Sequence, residues 1–208
     1  MSSLQHGEQV RILEEHGQEQ LGRGINWWGM MFFIASEALI FANFIAAYLY
    51  LEIRMGQWTL PNGEHLNWIF SGINTLILIA SSFPAIAARA GIMKGNKRQL
   101  ILGLTGTIIL GITFLCLQVY EYTDLVNGHF TLQTNIFGSA FYLLTGFHGL
   151  HVTIGVIFLL ICLIRAIRGD FTQQHHFAVE AGEMYWHFVD IVWIVVYSTV
   201  YLLPLLRG

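Results

Sequence analysis

The fold class that the sequence predicts is all-α: a polytopic membrane protein whose five transmembrane helices form one bundle. Three observations predict it. Of the 208 residues, 55% are hydrophobic and only 11% are charged, with a mean hydropathy of +0.57. A soluble domain carries about 25% charge, so this balance cannot cover a water-facing surface and excludes both a soluble globule and a solvating disordered chain. Five continuous apolar stretches each reach the roughly 20 residues that a hydrocarbon core of about 30 Å demands of a helix. Their continuity excludes a β-barrel, whose strands would alternate over about 10 residues.

Residues 1–24 read as a polar tail holding Glu8, Glu14, Glu15 and Glu19. The tail lacks the basic start and short apolar core of a secretory signal, so the first span is expected to stay as an anchor. Residues 25–208 then form one five-helix transmembrane domain. Span one, Ile25–Ile53, contains Glu37 and Glu52 as its only charges. Span two, Trp68–Ala88, contains none; Pro84 removes a backbone donor and is expected to kink it, and Asn74 needs a partner inside the bundle. Span three, Leu100–Tyr120, is also uncharged, and Glu121 just beyond it is expected to reach water. Span four, Ile136–Ile164, carries His148 and His151, with Gly138, Gly146, Gly149 and Gly155 allowing close helix contact. Span five, Met184–Leu206, carries His187 and Asp190.

Orientation follows from the basic residues. Arg11, Arg23, Arg89, Lys94, Lys97, Arg98, Arg165 and Arg168 fall on one side, and only Arg54 and Arg207 on the other. The excess places the N-terminus in the cytoplasm and the C-terminus outside. Trp27, Trp28 and Trp186 would then lie near the inner interface, and Trp58 and Trp68 near the outer one. The net charge of -3 and pI near 6.3 give no basic footprint for nucleic acid. Cys116 and Cys162 sit inside apolar runs with neither metal-site spacing nor a disulfide framework.

Ionisable groups in hydrocarbon cost at least about 2.5 kcal/mol on insertion scales, so they mark candidate sites. Glu37 lies 12 residues after Ile25, near the midplane. It reads as a carboxyl for proton relay or for a lipid cleft, or as a carboxyl hydrogen-bonded to a neighbouring helix. Glu183, His187 and Asp190 are spaced i, i+4 and then i+3, which puts all three on one face of span five. They form either a proton-collecting surface or an interhelical polar clamp. His148 and His151 are three apart on span four. One helix offers only these two ligands, so partners among carboxyls or carbonyls are expected in place of metal or haem. Arg165 ends span four, where its guanidinium suits a phosphate oxygen or serves as ordinary topology-setting charge. His175 and His176 fall in the following loop, either solvated or at a subunit contact.

Several motifs resemble one family. His175-His176-Phe177, Glu180-Ala181-Gly182 and Tyr185-Trp186-His187-Phe188-Val189-Asp190-Ile191-Val192-Trp193 resemble the end of cytochrome c oxidase subunit III. Gly146-Phe147-His148-Gly149-Leu150-His151-Val152, Leu117-Gln118-Val119-Tyr120-Glu121-Tyr122 and Ile34-Ala35-Ser36-Glu37 resemble its other signatures. The resemblance runs from about Ile25 to the end. It implies a non-redox accessory subunit of a proton-translocating haem–copper oxidase in a bacterial cytoplasmic membrane. Such a subunit has no catalytic or metal-ligating residue of its own. It packs on subunit I, which holds haem and copper, in a complex that also contains subunit II and takes electrons from cytochrome c. It binds phospholipid and supports proton uptake and sustained turnover. By the same carry-over, Glu37 is the buried carboxyl and Arg165 the lipid-headgroup arginine. Mitochondrial-type members of the family have seven helices, whereas this sequence shows five.

Two other readings stand beside it: subunit III of a quinol-oxidising relative, and a haem-binding membrane anchor. The Ser-Glu context of Glu37 and the His-His-Phe stretch favour the cytochrome c branch. A haem anchor would need histidines on facing helices, and a repeat-type transporter would need internal symmetry, which the sequence does not show.

Overall fold

The computed structural model describes residues 24–55 and 66–207; of Leu205 and Arg207 only the backbone is described. Arg11, Arg23, the acids of the tail and Trp58 lie outside the described residues. Among the described residues, five helices are long and apolar enough to cross a membrane. They are α1 (Ile25–Met55), α2 (Trp68–Met93), α3 (Lys97–Asn127), α4 (Ile136–Arg168) and α5 (Phe177–Tyr197). A π-helical turn, Ser198–Leu202, continues α5 into a last short helix, α6 (Leu203–Arg207). Most of these helices overrun the apolar stretches that announce them. Hydropathy marks the hydrocarbon thickness, whereas backbone hydrogen bonding carries the helix on into the polar interface.

Three of the helices start on the same device. Asn67, Asn96 and Asn135 each accept a hydrogen bond from the backbone N–H three residues on, at Phe70, Gln99 and Gly138. An asparagine at this position satisfies a donor that the first turn would otherwise leave open. At the other end of α4, Gly169 takes a left-handed conformation, φ +89°, and closes the helix.

Packing separates residues 1–36 from residues 37–208. In the described part of the first unit, Trp27 and Trp28 meet edge-to-face with centroids 5.1 Å apart, and Ser36 Oγ donates to the carbonyl of Phe33. In the second unit, α2 packs along α3, α3 against α4, and α5 against both α2 and α4. Gly103 lets α3 meet the Pro84 turn of α2: a Cβ there would lie 2.6 Å from both Pro84 O and Ala88 N. Pro84 itself stays within an uninterrupted helix.

Trp186 fills the middle of this bundle rather than its inner interface. It is fully buried, donates from Nε1 to Ser81 Oγ at 2.8 Å, and lies against Gly111 of α3 and Gly155 of α4. The expectation that Trp186 belongs to an interfacial belt is therefore corrected. Its indole N–H has a partner on α2, so it does not need headgroup water. Asn74 likewise has its partner inside, donating from Nδ2 to Phe114 O at 3.3 Å.

From the part of α1 in this unit, only Phe41, Tyr48 and Glu52 are buried. Leu39, Ile53 and Tyr50 are all more than half exposed, a surface that acyl chains or a partner helix can cover.

Candidate functional site

The midplane carboxyl and one of the two histidines of α4 meet. Glu37 Oε2 on α1 lies 3.0 Å from His151 Nε2 on α4, and the two side chains are 18% and 7% exposed. His151 Nδ1 lies 2.8 Å from the carbonyl oxygen of Phe147, one turn earlier on its own helix. A carbonyl only accepts, so Nδ1 carries a hydrogen. A hydrogen bond across the 3.0 Å contact takes one further proton, on Nε2 or on the carboxyl. With it on Glu37, both groups are neutral; with it on His151, they form an ion pair. The net charge is zero in either case, which is what a hydrocarbon environment tolerates.

Aromatic rings wall the pair. Phe147 and Phe41 lie 4.6 and 4.9 Å from the His151 ring, and Phe44 stacks edge-on against Phe147 at 5.0 Å. Tyr185 of α5 donates to the His151 carbonyl at 3.4 Å. These side chains keep water off the buried side of the pair and hold the imidazole in one orientation.

His148 behaves differently from its neighbour. It is fully buried, and among the described residues neither ring nitrogen has a hydrogen-bond partner. Its ring lies on Trp193 at 4.6 Å, with Phe114 at 5.9 Å and Phe41 at 6.3 Å. The expectation of a carboxyl or carbonyl partner thus holds for His151 and fails for His148. Three aromatic rings, from Trp193, Phe114 and Phe41, surround it instead. Among the described residues, no three of His, Cys, Asp and Glu converge as metal ligands.

The second cluster is a seam between α2 and α5. Arg89 of α2 pairs with Glu180 at 2.9 Å and with Glu183 at 3.3 Å. Glu183 lies 3.7 Å from His187 Nε2, and Asp190 lies 4.0 Å from His187 Nδ1. Ser82 of α2 donates to Asp190 and is 3.3 Å from His187 Nδ1. The single helix face read from span five is therefore brought together as expected. Its partners on α2, Arg89 and Ser82, were missed. They lie seven residues apart, two turns on one helix face, which is the signal that could have found them.

Arg165 projects from the last turn of α4. Its Nε is 3.5 Å from Asp170 and its guanidinium lies 4.9 Å over the Phe171 ring, with nearly half of the side chain exposed. Glu121 is not at the water surface: it is 7% exposed and accepts from Ser71 Oγ at 2.5 Å and from Tyr201 at 3.1 Å. The expectation is corrected because the π-helical turn brings Tyr201 over it. Ser198 and Thr199 hydroxyls donate to the carbonyls four residues back, which loosens the regular ladder there.

A family model described as cytochrome c oxidase subunit III matches residues 9–204. The cytochrome c oxidase subunit 3 of Drosophila yakuba is 42% identical over 180 residues, which cover 84% of this chain and 68% of the relative. That of Anopheles gambiae is 43% identical over the same shares. That of Gallus gallus is 40% identical over 192 residues, covering 89% of this chain and 72% of the relative.

Proposed function

Because the chain belongs to the cytochrome c oxidase subunit III family, we propose that it acts as the non-redox accessory subunit of a respiratory oxidase. In this role it packs on catalytic subunit I, in a complex with subunit II that oxidises cytochrome c. The haem and copper belong to those partners. It holds phospholipid beside α1 and supports proton uptake and sustained turnover. The excess of Lys and Arg on one side supports insertion in a bacterial cytoplasmic membrane with the N-terminus inside.

The observation that carries this reading is the Glu37–His151 pair. A carboxyl and an imidazole share one proton at mid-depth, beside helix surface that remains apolar and exposed. That arrangement suits a role in which the chain conditions the membrane next to a catalytic partner. Glu37→Gln tests it. The amide still donates to His151 Nε2, so assembly is retained, but the shared proton is gone. The purified oxidase complex should start at the wild-type rate and then inactivate severalfold sooner, with less phospholipid co-purifying. If the initial rate, its decay and the lipid content all match wild type, Glu37 only packs helices and the reading fails.

For the α2–α5 seam, the paired Arg89 and the embedded Ser82 support the interhelical clamp more than a proton-collecting surface. Arg165 retains the lipid-headgroup role: Asp170 and Phe171 hold its guanidinium at the helix end, where a phosphate oxygen can reach it. Arg165→Ala should lower the amount of one tightly bound phospholipid, read by mass spectrometry of the extracted complex. Unchanged lipid would return Arg165 to a charge that only sets topology.

A further inference from the structure

The α2–α3 turn and the loop after α4 border a cavity of about 230 Å³ that shares only Phe171 with the roles above. Ile92, Leu100 and Ala166, all buried, form its floor. Lys97, Thr172 and Gln173 supply polar walls. Two hydrogen bonds tie the two segments together across it: Lys97 Nζ donates to Ile167 O at 2.9 Å, and Gln173 Nε2 to Met93 O at 3.3 Å. Both segments turn on left-handed glycines, Gly95 at φ +69° and Gly169 at φ +89°, which also line the cavity. A side chain at Gly95 would strike Gln173 at 2.9 Å, so the bare backbone there keeps the wall in place.

Basic residues outnumber acidic ones in the two segments that border this cavity. Lys94, Lys97, Arg98, Arg165 and Arg168 belong to the two segments, against Asp170 alone, and Asp170 already faces Arg165. Among the described residues, Lys94, Lys97, Arg98 and Arg168 have no ion-pair partner. Lys97 spends one of its three ammonium donors on Ile167 O, which leaves two for a ligand. Lys97 also opens α3, so the positive end of that helix adds to the same field. An apolar floor, hydroxyl and amide walls and a half-committed ammonium suit a phosphoryl group.

We propose that this cavity is a phosphoryl-anion site, with Lys97 as its principal ligand. Phe171, whose ring carries the Arg165 guanidinium, also lines the cavity, so the site borders the headgroup contact assigned above, but Arg165 itself does not line it. At the depth where α3 begins, the phosphoryl group could belong to an anionic lipid or to a soluble phosphate, and both take the same ligands.

The test uses the assembled complex in phosphatidylcholine nanodiscs. One arm adds phosphatidylglycerol with a photoreactive headgroup and maps the label on the chain. The other adds inorganic phosphate and follows its phosphorus NMR linewidth. Lys97→Gln keeps a donor for Ile167 O and removes the charge. Because a hydrogen bond to a charged group is worth 1.4 kcal/mol or more, this variant should weaken binding at least about tenfold. Lys97→Arg should restore most of it, and Lys94→Gln, outside the cavity, should change it less than about twofold. Lys97-dependent labelling of residues 169–173 identifies a lipid source, and Lys97-dependent phosphate broadening identifies a soluble one; either supports the site. Equal losses from Lys94→Gln and Lys97→Gln would reduce the effect to general surface charge and overturn it. Absence of binding in both arms would also overturn it. Arg165→Ala, run in parallel, removes the cation over Phe171 but no donor that lines the cavity, so it should lower this signal far less than Lys97→Gln does, which separates failure here from failure of the headgroup role.

Discussion

Trp186→Ala should cost the bundle about 3 kcal/mol, near the low end of the range for Trp truncation in cores, because acyl chains are themselves apolar and the loss is mainly of packing. The indole is fully buried and touches three helices other than its own: α2 through Ser81, α3 through Gly111 and α4 through Gly155. Its removal opens a cavity bounded by backbone at the two glycines and leaves Ser81 Oγ without its donor. Neither side can collapse inward without bending a transmembrane helix. The result to look for is a lower unfolding midpoint in detergent, by circular dichroism, and faster loss of the chain from the purified complex. Trp186→Phe should recover much of the volume but not the hydrogen bond, and so fall between the two.

The second large effect concerns the Glu37–His151 pair. Removing one member leaves the other buried with an unmatched polar group, at a cost of about 1–3 kcal/mol. Removing both leaves apolar surface, which hydrocarbon accepts. A double-mutant cycle of Glu37→Ala and His151→Ala should therefore be strongly non-additive, with the double variant more stable than the sum of the singles by about 1–2 kcal/mol. Additive losses, measured by unfolding in mixed micelles, would mean that the 3.0 Å contact contributes nothing and that Phe41 and Phe147 alone position the imidazole.

Much of the bundle was legible because a membrane writes its thickness into the sequence. Length and hydropathy mark every span, and scarce charge makes Glu37, Asp190 and the histidines conspicuous. What each polar residue meets was less legible. Arg89 looked like topology-setting charge because its partners, Glu180 and Glu183, follow more than 90 residues later on a helix whose place beside α2 the pattern does not encode. Glu121 looked exposed because distance along α3 was counted to water, and the π-helical turn that covers it depends on local Ser198 and Thr199 bonding. His148 and His151 share a motif and nearly a face. One lies against Trp193 and the other meets Glu37, a distinction of about 60° around α4 that periodicity hardly resolves.

The shared proton has an electrical corollary. An energised membrane does work of about 2.3 kcal/mol per 100 mV on a unit charge carried all the way across. Transfer between Glu37 and His151 moves one proton by about 1 Å within a contact that links neighbouring helices, out of a hydrocarbon thickness of about 30 Å. The voltage can thus bias that transfer by less than about 0.1 kcal/mol per 100 mV. A pair built this way keeps the same proton distribution whether the membrane is charged or discharged. It gives the chain a buried acid–base couple that is blind to the electric field across a membrane its helices span.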